Sequence, residues 1–136
     1  MDKIKWVKNT MPKTEDKELQ IMDLANVKAA RNFHSSFPQY SVTPLAHLKE
    51  LAALLGLKDI FVKDESYRFG LNAFKVLGGS FAMGRHIAKV TGKDISELDY
   101  QALTSPELKK DLGEVTFFSA TDGNHGRGVA WSANRL

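Results

Sequence analysis

The chain has 136 residues, 43% hydrophobic and 26% charged, enough for one soluble domain with a core of its own. Its net charge of +3 is spread over mixed signs without a basic run, which argues against a nucleic-acid partner, and no uninterrupted apolar stretch is long enough to enter a membrane. The absence of cysteine excludes a disulfide framework and a cysteine-ligated metal site, and it fits a cytoplasmic location.

Residues 1–22 are polar and irregular and read as an arm or a short edge strand. From Asp23, "DLANVKAARNFHSSF" spaces Leu24, Val27, Ala30 and Phe33 in steps of three, which predicts a helix capped by Asp23. "FPQYSVTPL" is expected to be extended, because each proline restrains the residue before it. Thr43 and Pro44 open a predicted helix with Leu45, Leu48, Leu51, Ala52 and Leu55 on one face, closed by Gly56. "DIFVKDES" (59–66) predicts a short strand running into a charged loop. Asn72 is the expected cap of a helix from Ala73 to about Val90, ended by "TGKD". Residues 94–112 predict one or two surface helices, the second starting at Ser105-Pro106. "VTFFSA" (115–120) has the pattern of a buried strand and leads through the turn "TDGNHGRG" into a last helix. Strands alternating with helices predict an α/β fold with parallel strands. The last helix has just begun when the sequence stops, without a C-terminal signal. The expectation is the front part of something longer, against the alternative of a frayed terminal helix.

The stretch "GLNAFKVLGG" (70–79) surrounds Lys75 with apolar and very small residues. On the predicted helix, Gly78, Gly79 and Ala82 share the face of Lys75, leaving a strip almost bare of side chains on which something flat can lie. Two adjacent helical glycines each cost about 1 kcal/mol relative to alanine, so they call for a compensating reason. The positive end of the helix dipole works against an ammonium in the first turn, which suits an amine held for Schiff-base chemistry. The competing reading is a lysine extending from a helix edge beside glycines that admit a neighbouring helix.

The second motif, "SATDGNHGRG", joins the predicted strand to a helix start. Gly123, Gly126 and Gly128 permit close backbone approach, and the first N–H groups of the helix can face an anion. Asp122 adds a carboxylate, Asn124 an amide and His125 a titratable ring. The spacing matches neither a P-loop nor the Gly-x-Gly-x-x-Gly dinucleotide fingerprint. Taken alone, the turn is equally well read as Asp122 capping a helix.

Together, "GLNAFKVLGG" and "TDGNHGRGVAW" resemble the fold-type II pyridoxal-phosphate enzymes, the group of serine/threonine dehydratases, threonine synthase and tryptophan synthase β. Within it, "VKDESYRFGLNAFK" and the Asp before "GNHGRG" are most similar to the diaminopropionate ammonia-lyases. The resemblance runs from about Phe33 to the C-terminus and implies the N-terminal part of such an α/β enzyme, a lyase with pyridoxal 5'-phosphate as cofactor. It implies that Lys75 carries the cofactor and shuttles protons. Asn124 would bond the cofactor's phenolic oxygen, and Thr121, Gly123 and His125 would hold the substrate carboxylate. Asp122 would be a second base, so that each enantiomer of a small amino-acid substrate meets a base at its α-proton. Burial of both bases is expected to suit them to proton transfer. The implied reaction is elimination from D- or L-2,3-diaminopropionate, giving pyruvate and ammonia, by a cytoplasmic protein that is a homodimer at full length. The family's second half, with its glycine-rich cup for the cofactor phosphate, has no counterpart in this sequence. Two alternatives accompany this reading: a serine/threonine dehydratase, or a non-catalytic fragment that binds a partner or a small anion at its glycine turn.

Overall fold

The computed structural model describes residues 7, 8, 10, 21–121 and 123–136; Asp122 and most of the polar arm 1–22 lie outside the described residues. Helix α1 (Leu24–Ser35) starts where its cap chemistry directs, with the Asp23 carboxylate accepting from the Asn26 N–H at 2.7 Å. Its first half stays in solvent, with Leu24 68% and Val27 50% exposed, and burial begins only at Phe33 and His34.

The helix expected from Thr43 is divided. Leu45–His47 is strand β1, and helix α2 is Lys49–Leu55. Strand β1 pairs with β2 (Phe61–Lys63), Leu45 opposite Lys63 and His47 opposite Phe61. Gly56, at φ 67°, closes α2 as predicted and turns the chain back. The α/β fragment stands as helices with a small sheet, but its described strands are antiparallel rather than parallel. A helix of seven residues spans about 10 Å, so the connection returns β2 beside β1 instead of carrying it across a sheet face. Segment 115–120, expected as a buried strand, makes no strand pair and is mostly exposed, Phe118 to 91%. A strand takes its hydrogen bonds from a neighbouring edge, and no described residue offers one there.

A 3₁₀ segment at Glu65–Gly70 leads to the long helix α3 (Lys75–Thr91), which ends at Gly92 in the left-handed conformation. Helix α4 (Tyr100–Leu103) and helix α5 (Pro106–Leu112) follow, the latter capped by Ser105 accepting from the Leu108 N–H at 3.2 Å. Helix α6 (Gly123–Arg135) completes the fold and packs most extensively against α3.

The core joins Phe33 and Phe37 to Phe69, Val76, Ile87, Leu98, Leu103 and Leu108. Phe37 lies at its centre, with ring centroids 5.3 Å from Phe33, 5.7 Å from Phe69 and 4.9 Å from Tyr100. Gly84 makes the crossing of α1 over α3 possible, because a Cβ there would lie 2.5 Å from the Phe33 ring. Beside it, His34 Nε2 donates to the Leu77 carbonyl at 2.9 Å and lies 3.2 Å from Ser80 Oγ. A carbonyl only accepts, so Nε2 carries the proton. Burial holds the His34 pKa below its usual value. These bonds tie the first two turns of α3, the helix that carries Lys75, to α1.

Candidate active site

Lys75 is the first residue of α3. The chain reaches it through a loop in which Phe69 (φ 51°), Gly70 (φ 69°) and Asn72 (φ 54°) all take left-handed backbone conformations. Asn72 is therefore not the cap predicted for it. The N-cap is Phe74, which supplies no side-chain hydrogen bond. Asparagine tolerates the left-handed region almost alone among residues with a side chain, and the loop uses that property instead. The Lys75 side chain is exposed, with Nζ 4.8 Å from the Phe74 ring centroid and no ion pair among the described residues. The burial expected for this amine is thus not supplied by the described residues.

The bare strip forms as the spacing predicts. Gly78, Gly79 and Ala82 line a cleft of about 490 Å³, joined by Met83 and His86 further along α3, by residues 115–119, and by His125 and Val129 of α6. A Cβ on Gly78 would meet nothing within 4 Å, while one on Gly79 would touch Val129 at 3.6 Å. The first glycine keeps open space, and at the second a methyl would come into ordinary contact with α6.

Each glycine of the second motif has its own reason. Gly123 takes φ 57°. Gly126 lets the Thr121 carbonyl approach to 3.2 Å of where a Cβ would sit, and Gly128 lets the Val76 backbone approach to 2.9 Å. The starts of α3 and α6 therefore meet backbone to backbone, which brings the two sequence motifs into one place. Thr121, Gly123, Asn124 and His125 are exposed around the start of α6, and His125 also reaches the cleft. Asn124 Oδ1 accepts from Arg127 Nη2 at 3.2 Å, which leaves the amide N–H groups of Asn124 to donate. Asp122 lies outside the described residues. Among those described, no three His, Cys, Asp or Glu residues are grouped to hold a metal, and no helix is long and apolar enough to cross a membrane.

Sequence reasoning missed a buried charge cluster just before this site. Arg68, 8% exposed, donates from Nε to Glu65 Oε2 at 2.7 Å and from Nη2 to Glu65 Oε1 at 2.8 Å. It also donates to the Ser41 carbonyl at 3.0 Å and to Thr43 Oγ1 at 3.2 Å, while the Thr43 hydroxyl donates to Glu65 at 2.6 Å. The Arg68 hydrogen bond is the main reason the Glu65 pKa falls to about 2. The i,i+3 spacing of Glu65 and Arg68 was a readable signal, but Ser41 and Thr43 are distant in sequence. His86, whose ring meets Phe117 edge-on at 6.1 Å, carried no signal either.

The geometry fits a planar, aldehyde-bearing cofactor: an exposed primary amine heads a helix whose bare face walls a cleft, beside an amide donor and a helix start whose first N–H groups have no partner within the helix. Residues 37–136 match the family described as pyridoxal-phosphate dependent enzyme, and the chain belongs to that family. Diaminopropionate ammonia-lyase of Salmonella typhimurium strain LT2 is 54% identical over 104 residues, 76% of this chain and 26% of that protein. The protein of the same name from Escherichia coli K12 is 49% identical over 113 residues, 82% of this chain and 27% of that one. Among solved structures, apo E. coli diaminopropionate ammonia lyase superposes with a TM-score of 0.76 at 45% identity, covering 85% of this chain and 30% of that chain. The E. coli enzyme in complex with an aminoacrylate-PLP azomethine reaction intermediate gives 0.73 at 44% identity, covering 85% and 27%. The chain spans about a quarter of the length of the curated relatives it matches.

Proposed function

We propose that the complete protein is a pyridoxal-phosphate-dependent ammonia-lyase acting on D- and L-2,3-diaminopropionate, and that this chain forms one wall of its active site. The observation that carries the reading is the backbone contact of Gly128 with Lys75 and Val76, which sets the glycine turn beside the head of α3, whose bare face lines a cleft together with His125. The names of the relatives supply the substrate class.

In this reading Lys75 Nζ holds the cofactor and moves the α-proton of one substrate enantiomer. Asp122 is the second base and serves the other. Asn124 donates from its amide nitrogen to the cofactor's phenolic oxygen. Thr121, Gly123 and His125 orient the substrate carboxylate through backbone N–H groups at the positive end of α6. Pyridoxal phosphate, when bound, supplies the electron sink for the carbanion. Overall, 2,3-diaminopropionate and water give pyruvate and two ammonia molecules: the α-proton leaves, the β-amino group departs, and the resulting enamine is hydrolysed. The residues that hold the cofactor phosphate are to be sought in the remainder of the full-length protein. The proposal extends to a homodimer in the cytoplasm.

The test is pyruvate release by the full-length protein. Turnover of both diaminopropionate enantiomers supports the reading. Activity confined to L-serine or L-threonine moves the protein to the dehydratases, and a full-length protein that binds no cofactor leaves only the non-catalytic alternative.

A further inference from the structure

We propose that Arg68, clamped by Glu65 and Thr43, is a positioning residue for Lys75, holding the left-handed loop that delivers the lysine to the head of α3. The inference rests on the reading of Lys75 as the cofactor lysine.

Four of the five guanidinium N–H groups of Arg68 are engaged. Nε and one Nη2 hydrogen go to Glu65, the other Nη2 hydrogen to Thr43 Oγ1, and one Nη1 hydrogen to the Ser41 carbonyl. The guanidinium also lies 5.6 Å from the Tyr40 ring centroid. Lys63 Nζ donates to the Thr43 carbonyl and ties the same segment again. The chain around 40–43 is thus locked to the chain entering the loop. A buried ion pair is weak evidence of stability as such, because desolvation offsets most of its attraction. Its place in the chain is the informative feature.

The next residues are the strained ones. Phe69 adopts φ 51°, which a bulky side chain rarely does, and Asn72 adopts φ 54°. Such conformations persist only where the surroundings over-determine them. Arg68 fixes the chain on one side of Phe69, and burial of the Phe69 ring against Phe37 and Trp131 fixes the other. Downstream, Phe74 gives α3 no side-chain cap, and Leu71 donates to the Arg68 carbonyl at 2.9 Å while its side chain packs against the core. The His34 bonds and the burial of Val76 hold α3 from its own side, and the clamp sets the path by which the loop delivers Lys75 to its head.

Three substitutions in the full-length protein test this: Arg68→Met, Arg68→Lys and Glu65→Gln. Hydrogen exchange of residues 70–77, measured on protein stripped of cofactor, is read beside kcat, KM and borohydride labelling of the loaded enzyme. Arg68→Met should speed exchange across 70–77 by about tenfold or more and lower kcat by about 10–100-fold, with KM little changed. Arg68→Lys should recover only part, since an ammonium cannot reproduce the planar fork, and Glu65→Gln should move both readouts the same way by less. If Arg68→Met does not fold, the Lys and Gln variants decide on the same readouts. Exchange and kcat like the wild type, with only a lower melting temperature, would overturn the proposal. The labelling separates the two levels of the argument. Label on Lys75 of the wild type with indifferent Arg68 variants refutes the clamp alone. Wild-type label on another lysine refutes the reading of Lys75 and the proposal together.

Discussion

Alanine at Gly128 would place a methyl carbon 2.9 Å from both Cα and N of Val76 and 3.2 Å from the carbonyl carbon of Lys75. These are backbone atoms and cannot rotate away, so α3 and α6 must part by about 0.5 Å or more to restore ordinary contact. Val76 is 1% exposed and Ser132 0%, which leaves no slack nearby. Overpacking of this kind costs about 1–3 kcal/mol, against a gain of about 1 kcal/mol from replacing a helical glycine. The net loss is up to about 2 kcal/mol, and the shift falls on the turn that carries Lys75, so turnover should drop by up to about 100-fold. Gly78→Ala is the informative partner. Its Cβ meets nothing within 4 Å and its backbone is helical, so the protein should be as stable as the wild type or up to about 1 kcal/mol more so. Its methyl stands on the bare strip, however, and should weaken cofactor binding. Thermal unfolding and cofactor titration of both full-length variants measure this. A Gly128→Ala variant more stable than the wild type would refute the packing argument, and Gly78→Ala with wild-type cofactor affinity would refute the purpose assigned to the strip.

Gly84→Ala sets a methyl 2.5 Å from the buried Phe33 ring, and chemical denaturation should show a loss of up to about 2 kcal/mol once the gain from replacing a helical glycine is taken off; a stabilised variant would contradict the close approach of α1 and α3. Glu65 binds fewer protons folded than unfolded, because its pKa falls from 4.5 to about 2. Its contribution is therefore complete above pH 4.5 and lost as pH falls toward 2, by about 1–3 kcal/mol. The Glu65→Gln variant should be flatter across that window in pH-dependent thermal melts. His34 adds an earlier acid loss that begins below pH 6.5, since its folded pKa lies under that value and the unfolded chain takes the proton first. Asp122→Asn should cost about 10²–10⁴-fold on D-2,3-diaminopropionate and spare the L form. Small, equal effects on both would make Asp122 only a helix cap, a task asparagine performs about as well.

Local chemistry was legible in the sequence, and long-range pairing was not. Asp23, Gly56, Gly92 and Ser105-Pro106 mark helix ends through bonds within a few residues, and each does so in the structure. Leu45–His47 has a helical spacing of leucines but becomes a strand because Phe61–Lys63 comes to pair with it. Asn72 was ambiguous in kind, since asparagine favours both caps and left-handed turns, and only the tertiary path chooses between them. Val115 to Ala120 has strand composition without a described neighbour to complete it. For the site, the i+3, i+4 and i+7 relation alone located the bare face of Lys75, because helical geometry is set locally. The Arg68 cluster needed Ser41 and Thr43 folded onto it and could not be read from spacing.

The central claim is that Lys75 is the residue that holds the cofactor. Borohydride reduction of the full-length protein loaded with pyridoxal phosphate, followed by peptide mass mapping, tests it most directly. The account predicts one pyridoxyl group per chain, on the peptide containing Lys75, and its loss in Lys75→Ala. A label on any other lysine, or one that survives in Lys75→Ala, would contradict it.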